Sequence, residues 1–179
     1  MPQLVVIYGA PLSGKTSLAR EVAAALDGKS AIVSPDALFE DAIRVHDRDA
    51  YAELDMVYTQ VKLLVANYLK SRYHVVLEGA FAHEIDGVLH PHEQEIDQTL
   101  GLMRNLAQSP LLVQLTATEA TLRRRADASS RLRDADAALR IDAAYRQRSG
   151  GRSLALATDA RSVADLSSDV MNQLRAEYF

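Results

Sequence analysis

The sequence predicts an α/β domain in which helices cover both faces of a five-stranded parallel sheet. Three observations predict it. Short β-branched runs alternate with longer amphipathic stretches, the pattern of strand–helix–strand units. The runs are continuously apolar, as strands buried on both faces must be. Finally, 179 residues with 48% hydrophobic and 25% charged side chains fit one folded domain. Residues 1–179 therefore read as a single unit, without linker, repeat or low-complexity tract.

Leu4 to Tyr8 is the first strand. From Lys15 the period becomes helical: Leu18, Val22, Ala25 and Leu26 share one face, and Gly28 is placed to end the helix. Ala31-Ile32-Val33 is a second strand, stopped by Ser34-Pro35. Asp36 to Asp49 is polar and helical in part. Tyr51, Leu54, Val57, Tyr58, Val61, Leu64, Val65 and Tyr68 then recur as one long amphipathic helix, with the tyrosines expected in the core. Tyr73 to Leu77 is the third strand and ends at Glu78-Gly79. A polar segment with His83, His90 and His92 is expected as a solvated loop facing the substrate side, before a helix from about Glu93 to Gln108. Leu111 to Leu115 is the fourth strand. Thr118 to Asp127 reads as a capped helix and Asp134 to Arg148 as another. Gly150-Gly151 turns the chain into a fifth strand, Ser153 to Ala157. The last helix opens on a capping-box pattern, Ser162 and Asp165, and shows Val163, Leu166, Val170 and Leu174 on one face.

Composition excludes several classes. With 20 Lys+Arg against 24 Asp+Glu, a net charge of −4 argues against a surface built mainly to grip nucleic acid, which is disfavoured as a partner. The absence of cysteine removes disulfide scaffolds, thiolate zinc sites and thiol nucleophiles. The N-terminal apolar run, Leu4 to Tyr8, is too short for a signal-peptide core or a membrane span, so a cytoplasmic protein with no membrane partner is expected. Oligomeric state is not legible at this level.

Gly9-Ala10-Pro11-Leu12-Ser13-Gly14-Lys15-Thr16 matches the phosphate-binding P-loop and sits between a predicted strand and a predicted helix. Glycines let the backbone curl so that successive N–H groups meet phosphate oxygens, helped by the following helix N-terminus. Gly9 to Ser17 are the expected nucleotide-binding residues: Lys15, at a solvent-facing helix start, reaches the β- and γ-phosphates, and the Thr16 hydroxyl binds Mg²⁺. No Asn-Lys-x-Asp string for guanine occurs. The expectation is a single P-loop NTPase domain using ATP and Mg²⁺.

Four landmarks in order carry a family resemblance: the P-loop, Asp36 just after strand two, the Val75-Val76-Leu77-Glu78-Gly79 end of strand three, and an arginine-rich lid over residues 123–134. In these the chain resembles the small P-loop kinases related to zeta toxins and polynucleotide 5′-hydroxyl kinases. The resemblance implies an ATP-dependent phosphotransferase whose acceptor is a hydroxyl of a small molecule: a metabolite, nucleoside or nucleotide, sugar nucleotide or antibiotic-like compound. The alternatives are a polynucleotide 5′-kinase, or a toxin-like or ATP-binding regulatory protein. It also implies that Asp36 takes the proton of the attacking hydroxyl.

Strand ends face the ligand crevice in open α/β sheets, which places Asp36 and Glu78 there. Asp36 could instead serve as a helix N-cap after Pro35. Glu78 is expected to hold Mg²⁺ through water, or the acceptor. Arg123, Arg124, Arg125, Arg131 and Arg133 flank Ala128-Ser129-Ser130, where a closing lid would neutralise phosphate charge. Consecutive helical residues point about 100° apart, so the three adjacent arginines cannot all face ATP. Arg124 and Arg131 are the catalytic candidates, and Arg123 a nucleotide-binding one. Arg44 is a candidate for an anionic substrate group. The histidine spacing matches no zinc pattern, and Pro91 forbids a regular helix through the cluster.

Overall fold

The structure, a computed structural model, describes residues 1–39, 52–85, 88–107, 110–129, 134–148 and 154–176. Strand β1 (Leu4–Gly9) pairs in parallel with β3 (His74–Gly79) on one side and β6 (Leu111–Thr116) on the other. β2 (Ser30–Val33) lies outside β3, and β7 (Leu154–Ala157) lies outside β6. The order β2-β3-β1-β6-β7 is the expected five-stranded parallel sheet. Its central strand is the most apolar stretch of the chain, with Leu4, Val5, Val6 and Ile7 all fully buried.

Alternation along the strands sorts the core into two layers. Val5, Ile7, Val76, Val113 and Leu115 pack against α1 (Lys15–Ala25) and α7 (Val163–Ala176) through Leu18, Val22, Leu166, Val170 and Leu174. Leu4, Val6, Val75 and Leu77 pack against α3 (Ala52–Lys70) and α4 (Glu93–Met103) through Val57, Val61, Val65, Leu69, Ile96 and Met103. Each such side chain contributes about 1.5–3 kcal/mol relative to exposure. A three-residue helical turn, α2 (Pro35–Ala37), follows β2, while α5 (Glu119–Asp127) and α6 (Ala135–Arg148) stand between β6 and β7. No helix among the described residues is long and apolar enough to cross a membrane.

The structure corrects three boundaries. α1 ends at Ala25, where the Leu26 amide still bonds Val22 O; Gly28 lies in the turn beyond, at φ 102°. α4 stops at Met103 instead of running to Gln108, because the amides of Leu106 and Ala107 both turn back onto Met103 O. The histidine segment is not a loop. It forms an antiparallel hairpin, β4 (Ala82–Ile85) and β5 (Val88–Pro91), with His83 opposite His90 and their rings stacked 5.5 Å apart. Most of the segment from Asp36 to Asp49 lies outside the described residues.

Candidate functional site

The carboxyl ends of β1, β2 and β3 meet at one edge of the sheet, where ligands bind in open α/β folds. β1 closes on Gly9, whose φ is 150°; a Cβ there would stand 2.4 Å from Leu115 O, so only glycine lets the chain pass β6 this closely. The loop then takes Leu12 (φ 65°) and Gly14 (φ 98°) through the left-handed region before entering α1. No side chain caps α1 at Gly14, which leaves its first amides for an anion.

Lys15 departs from expectation. Its side chain is only 6% exposed and Nζ donates to Ala10 O at 2.8 Å, so the ammonium folds back over the loop instead of projecting into solvent. The cleft beside it encloses about 460 Å³ and is lined by Pro11, Leu12, Gly14, Lys15, Thr16 and Ser17, together with Arg20. Gly9, Ala10 and Ser13 frame the loop behind that lining, with Ala10 and Ser13 fully buried.

Glu78, at the end of β3, forms the opposite wall of the cleft, and its Oε1 accepts the Thr16 hydroxyl at 3.2 Å. Burial raises its pKa. The Lys15 ammonium and hydrogen bonds from Ser34 and Thr16 oppose that rise, and the Asp36 carboxylate adds to it.

The backbone holds Asp36 in place. The cap of α2 is Ser34, whose Oγ accepts the Ala37 amide at 3.3 Å, so the capping role considered for Asp36 belongs to its neighbour. Asp36 Oδ2 instead accepts the Ala80 amide at 3.1 Å. The carbonyl of the same Ala80 accepts the hydroxyl of Tyr145, which α6 inserts from the side. Asp36 and Pro11 border both the phosphate-loop cleft and a second cavity of about 350 Å³.

The consecutive arginines part company by helical phase. Arg123 pairs with Glu119 at 2.8 Å and Asp136 at 2.9 Å, and Arg124 is exposed; neither lines the cleft. Arg125 does line it. Its guanidinium donates to Leu12 O at 2.9 Å and to Thr158 Oγ1 and O at 3.0 and 3.2 Å, clasping the P-loop to the turn after β7. Burial lowers its pKa. A signal for Arg125 lay in the sequence: it follows fully buried Leu122 by three residues and so shares its inward face. Arg44, Arg131 and Arg133 lie outside the described residues. Between the helices, Thr118 caps α5 and is itself held by Asp159, whose pKa drops to about 2 through hydrogen bonds from Thr118.

His83 borders the second cavity. His83 Nδ1 and His92 Nε2 share a hydrogen bond at 2.9 Å, and burial with the two neighbouring histidines pulls His83 down to about 4. Among the described residues no group of three or more such side chains is arranged to hold a metal ion.

A family model described as AAA domain matches residues 4–152. No curated protein matches the sequence. Several solved structures share its fold. A protein of Chloroflexus aurantiacus superposes with TM-score 0.66 at 19% identity, covering 98% of this chain and 97% of its own. Shikimate kinase from Acinetobacter baumannii, in complex with shikimate, gives TM-score 0.60 at 15% identity over 99% and 95%. Mycobacterium tuberculosis APS kinase, in complex with AMPPNP and APS, gives 0.61 at 17% over 97% and 98%.

Proposed function

The chain belongs to the AAA-domain family, and on that premise we propose that it is an ATP- and Mg²⁺-dependent kinase that phosphorylates a hydroxyl of a small molecule. One observation carries the reading: Asp36 stands in the wall between the P-loop cleft and a second, separately lined cavity. A carboxylate there reaches a hydroxyl placed in the cavity while the phosphates occupy the cleft. The shikimate and APS kinases of the same fold support a small-molecule acceptor, since each is named for a small molecule. The similarity to zeta toxins and polynucleotide kinases belongs to the same proposal and rests on four landmarks in order: the P-loop, Asp36, the Glu78-Gly79 strand end and the arginine-rich stretch over residues 123–134.

In this reaction the acceptor oxygen attacks the γ-phosphorus, the bond from that phosphorus to the bridging β–γ oxygen breaks, and ADP leaves. The hydroxyl proton passes to Asp36. The transition state is loose, so the protein's task is positioning and charge compensation. Lys15 is held at the loop by Ala10 O, and Arg20 and Arg125 add positive charge along the cleft. The Thr16 hydroxyl and the Glu78 carboxylate present hard oxygen donors side by side, a set that fits Mg²⁺ directly or through water. When bound, the ion neutralises phosphate charge. Arg124 and Arg131 are proposed as lid residues that approach on closure, and Arg123 and Arg44 as nucleotide and substrate contacts. The test is calorimetry with ATP·Mg²⁺ followed by γ-phosphate transfer to a panel of alcohols. Absence of ATP binding would sink the reading.

A further inference from the structure

The cavity on the far side of Asp36 has mostly apolar walls. Phe39, Leu54, Tyr58, Phe81 and Ile141 supply them, and the Tyr58 and Phe81 rings lie 21° from parallel with centroids 6.1 Å apart. Such walls favour a flat, weakly hydrated ligand face, since aromatic contact adds to area burial. At about 350 Å³ the space is at the small end of ligand pockets.

Its electrostatics point the same way. The charged side chains among the described lining residues are two carboxylates, Asp36 and Asp134. Asp134 is committed to the start of α6, where Oδ1 accepts the amides of Asp136 and Ala137 at 2.8 and 3.2 Å and Oδ2 lies 3.9 Å from the Arg140 guanidinium, so it offers no ligand. His83 borders the cavity as a neutral ring near pH 7, its pKa about 4. With Asp134 paired to Arg140, Asp36 is the like charge that an anionic acceptor would meet at the cavity wall. The Tyr58 hydroxyl is a hydrogen-bond donor on this wall. It has no partner among the described residues, and burial, with Asp36 and Glu95 adding to it, keeps it protonated.

We propose that this cavity takes an uncharged alcohol carried on a flat aromatic or heteroaromatic body of nucleoside size, and that Tyr58 sets its orientation by donating a hydrogen bond to a polar group of that body. The proposal rests on the kinase reading above and narrows it to a substrate class.

The experiment is transfer from labelled ATP to two sets of acceptors: nucleosides and aryl-substituted alcohols in one, hydroxy acids and sugar phosphates in the other. Turnover confined to the first set is expected. Tyr58→Phe, which keeps the ring, should then raise the acceptor KM about three- to tenfold, the scale of one hydrogen bond, with the ATP KM unchanged. Turnover of a hydroxy acid or sugar phosphate overturns the proposal and leaves the kinase standing. So does a protein that binds ATP yet phosphorylates neither set, or a Tyr58→Phe variant with unaltered acceptor KM. Loss of ATP binding itself removes the kinase reading, and this one with it.

Discussion

Asp36 and Lys15 are each held by a main-chain group, and that determines what their substitution does. Asp36→Asn keeps an oxygen for the Ala80 amide but loses the proton acceptor. It should lower kcat about a hundredfold or more while the calorimetric affinity for ATP stays the same. Wild-type turnover of the true acceptor by this variant would make Asp36 structural. Lys15→Met fills the buried stem space and removes the ammonium that faces both Ala10 O and the Glu78 carboxylate. Transfer should be abolished with the circular dichroism spectrum unchanged. Both residues were legible in the sequence, one from the loop pattern and one from its place after a strand. The burial of Lys15 was not, because spacing says nothing of which way a flexible four-carbon stem folds.

At the scale of elements, α5 makes the sharpest distinction. Arg123→Ala removes exposed ion pairs, so stability should be nearly unchanged and the ATP KM should rise far less than in Arg125→Ala. Arg125→Ala unclasps the P-loop from Thr158 and should raise the ATP KM about tenfold or more. Equal effects in steady-state kinetics would refute the phase argument. The hairpin makes a different prediction. His83 is held near pKa 4, below its ordinary value of 6.5, so the unfolded chain takes up the proton first as pH falls. Stability should therefore be lost between about pH 6.5 and pH 4. The rings are half-exposed, which limits the loss to about 1 kcal/mol, or 2–4 °C in Tm. His92 moves the same way by burial, although Glu95 and Asp55 resist it. His83→Gln cannot titrate and should flatten the thermal-melt profile over that range. The hairpin itself was readable: Asp86-Gly87 is a strong two-residue turn signal, here masked by three polar histidines that suggested a loop.

For the whole molecule, the sheet was legible because buried parallel strands are continuous apolar runs, and the order of five such runs with helices between them admits few topologies. The cavity beyond Asp36 was not, since Tyr58, Phe81 and Ile141 come from three distant parts of the chain and read locally as core. The cleft likewise joins β1, β2, β3 and α5, so a ligand bound there should stabilise the fold as a unit. At about a hundred times Kd, ATP·Mg²⁺ should add about 2.7 kcal/mol and raise Tm by about 5–10 °C by scanning calorimetry. Lys15→Met should lose that shift.

Ala80 gives its amide to Asp36 and its carbonyl to Tyr145. Both groups belong to the main chain, so its importance is hidden from genetics that works through side chains. A mutational scan would score Ala80→Gly and Ala80→Ser as tolerated and mark the position as neutral. Among residues small enough for this buried position, proline, which deletes the amide, would expose it, with a loss of turnover close to that of removing Asp36 itself.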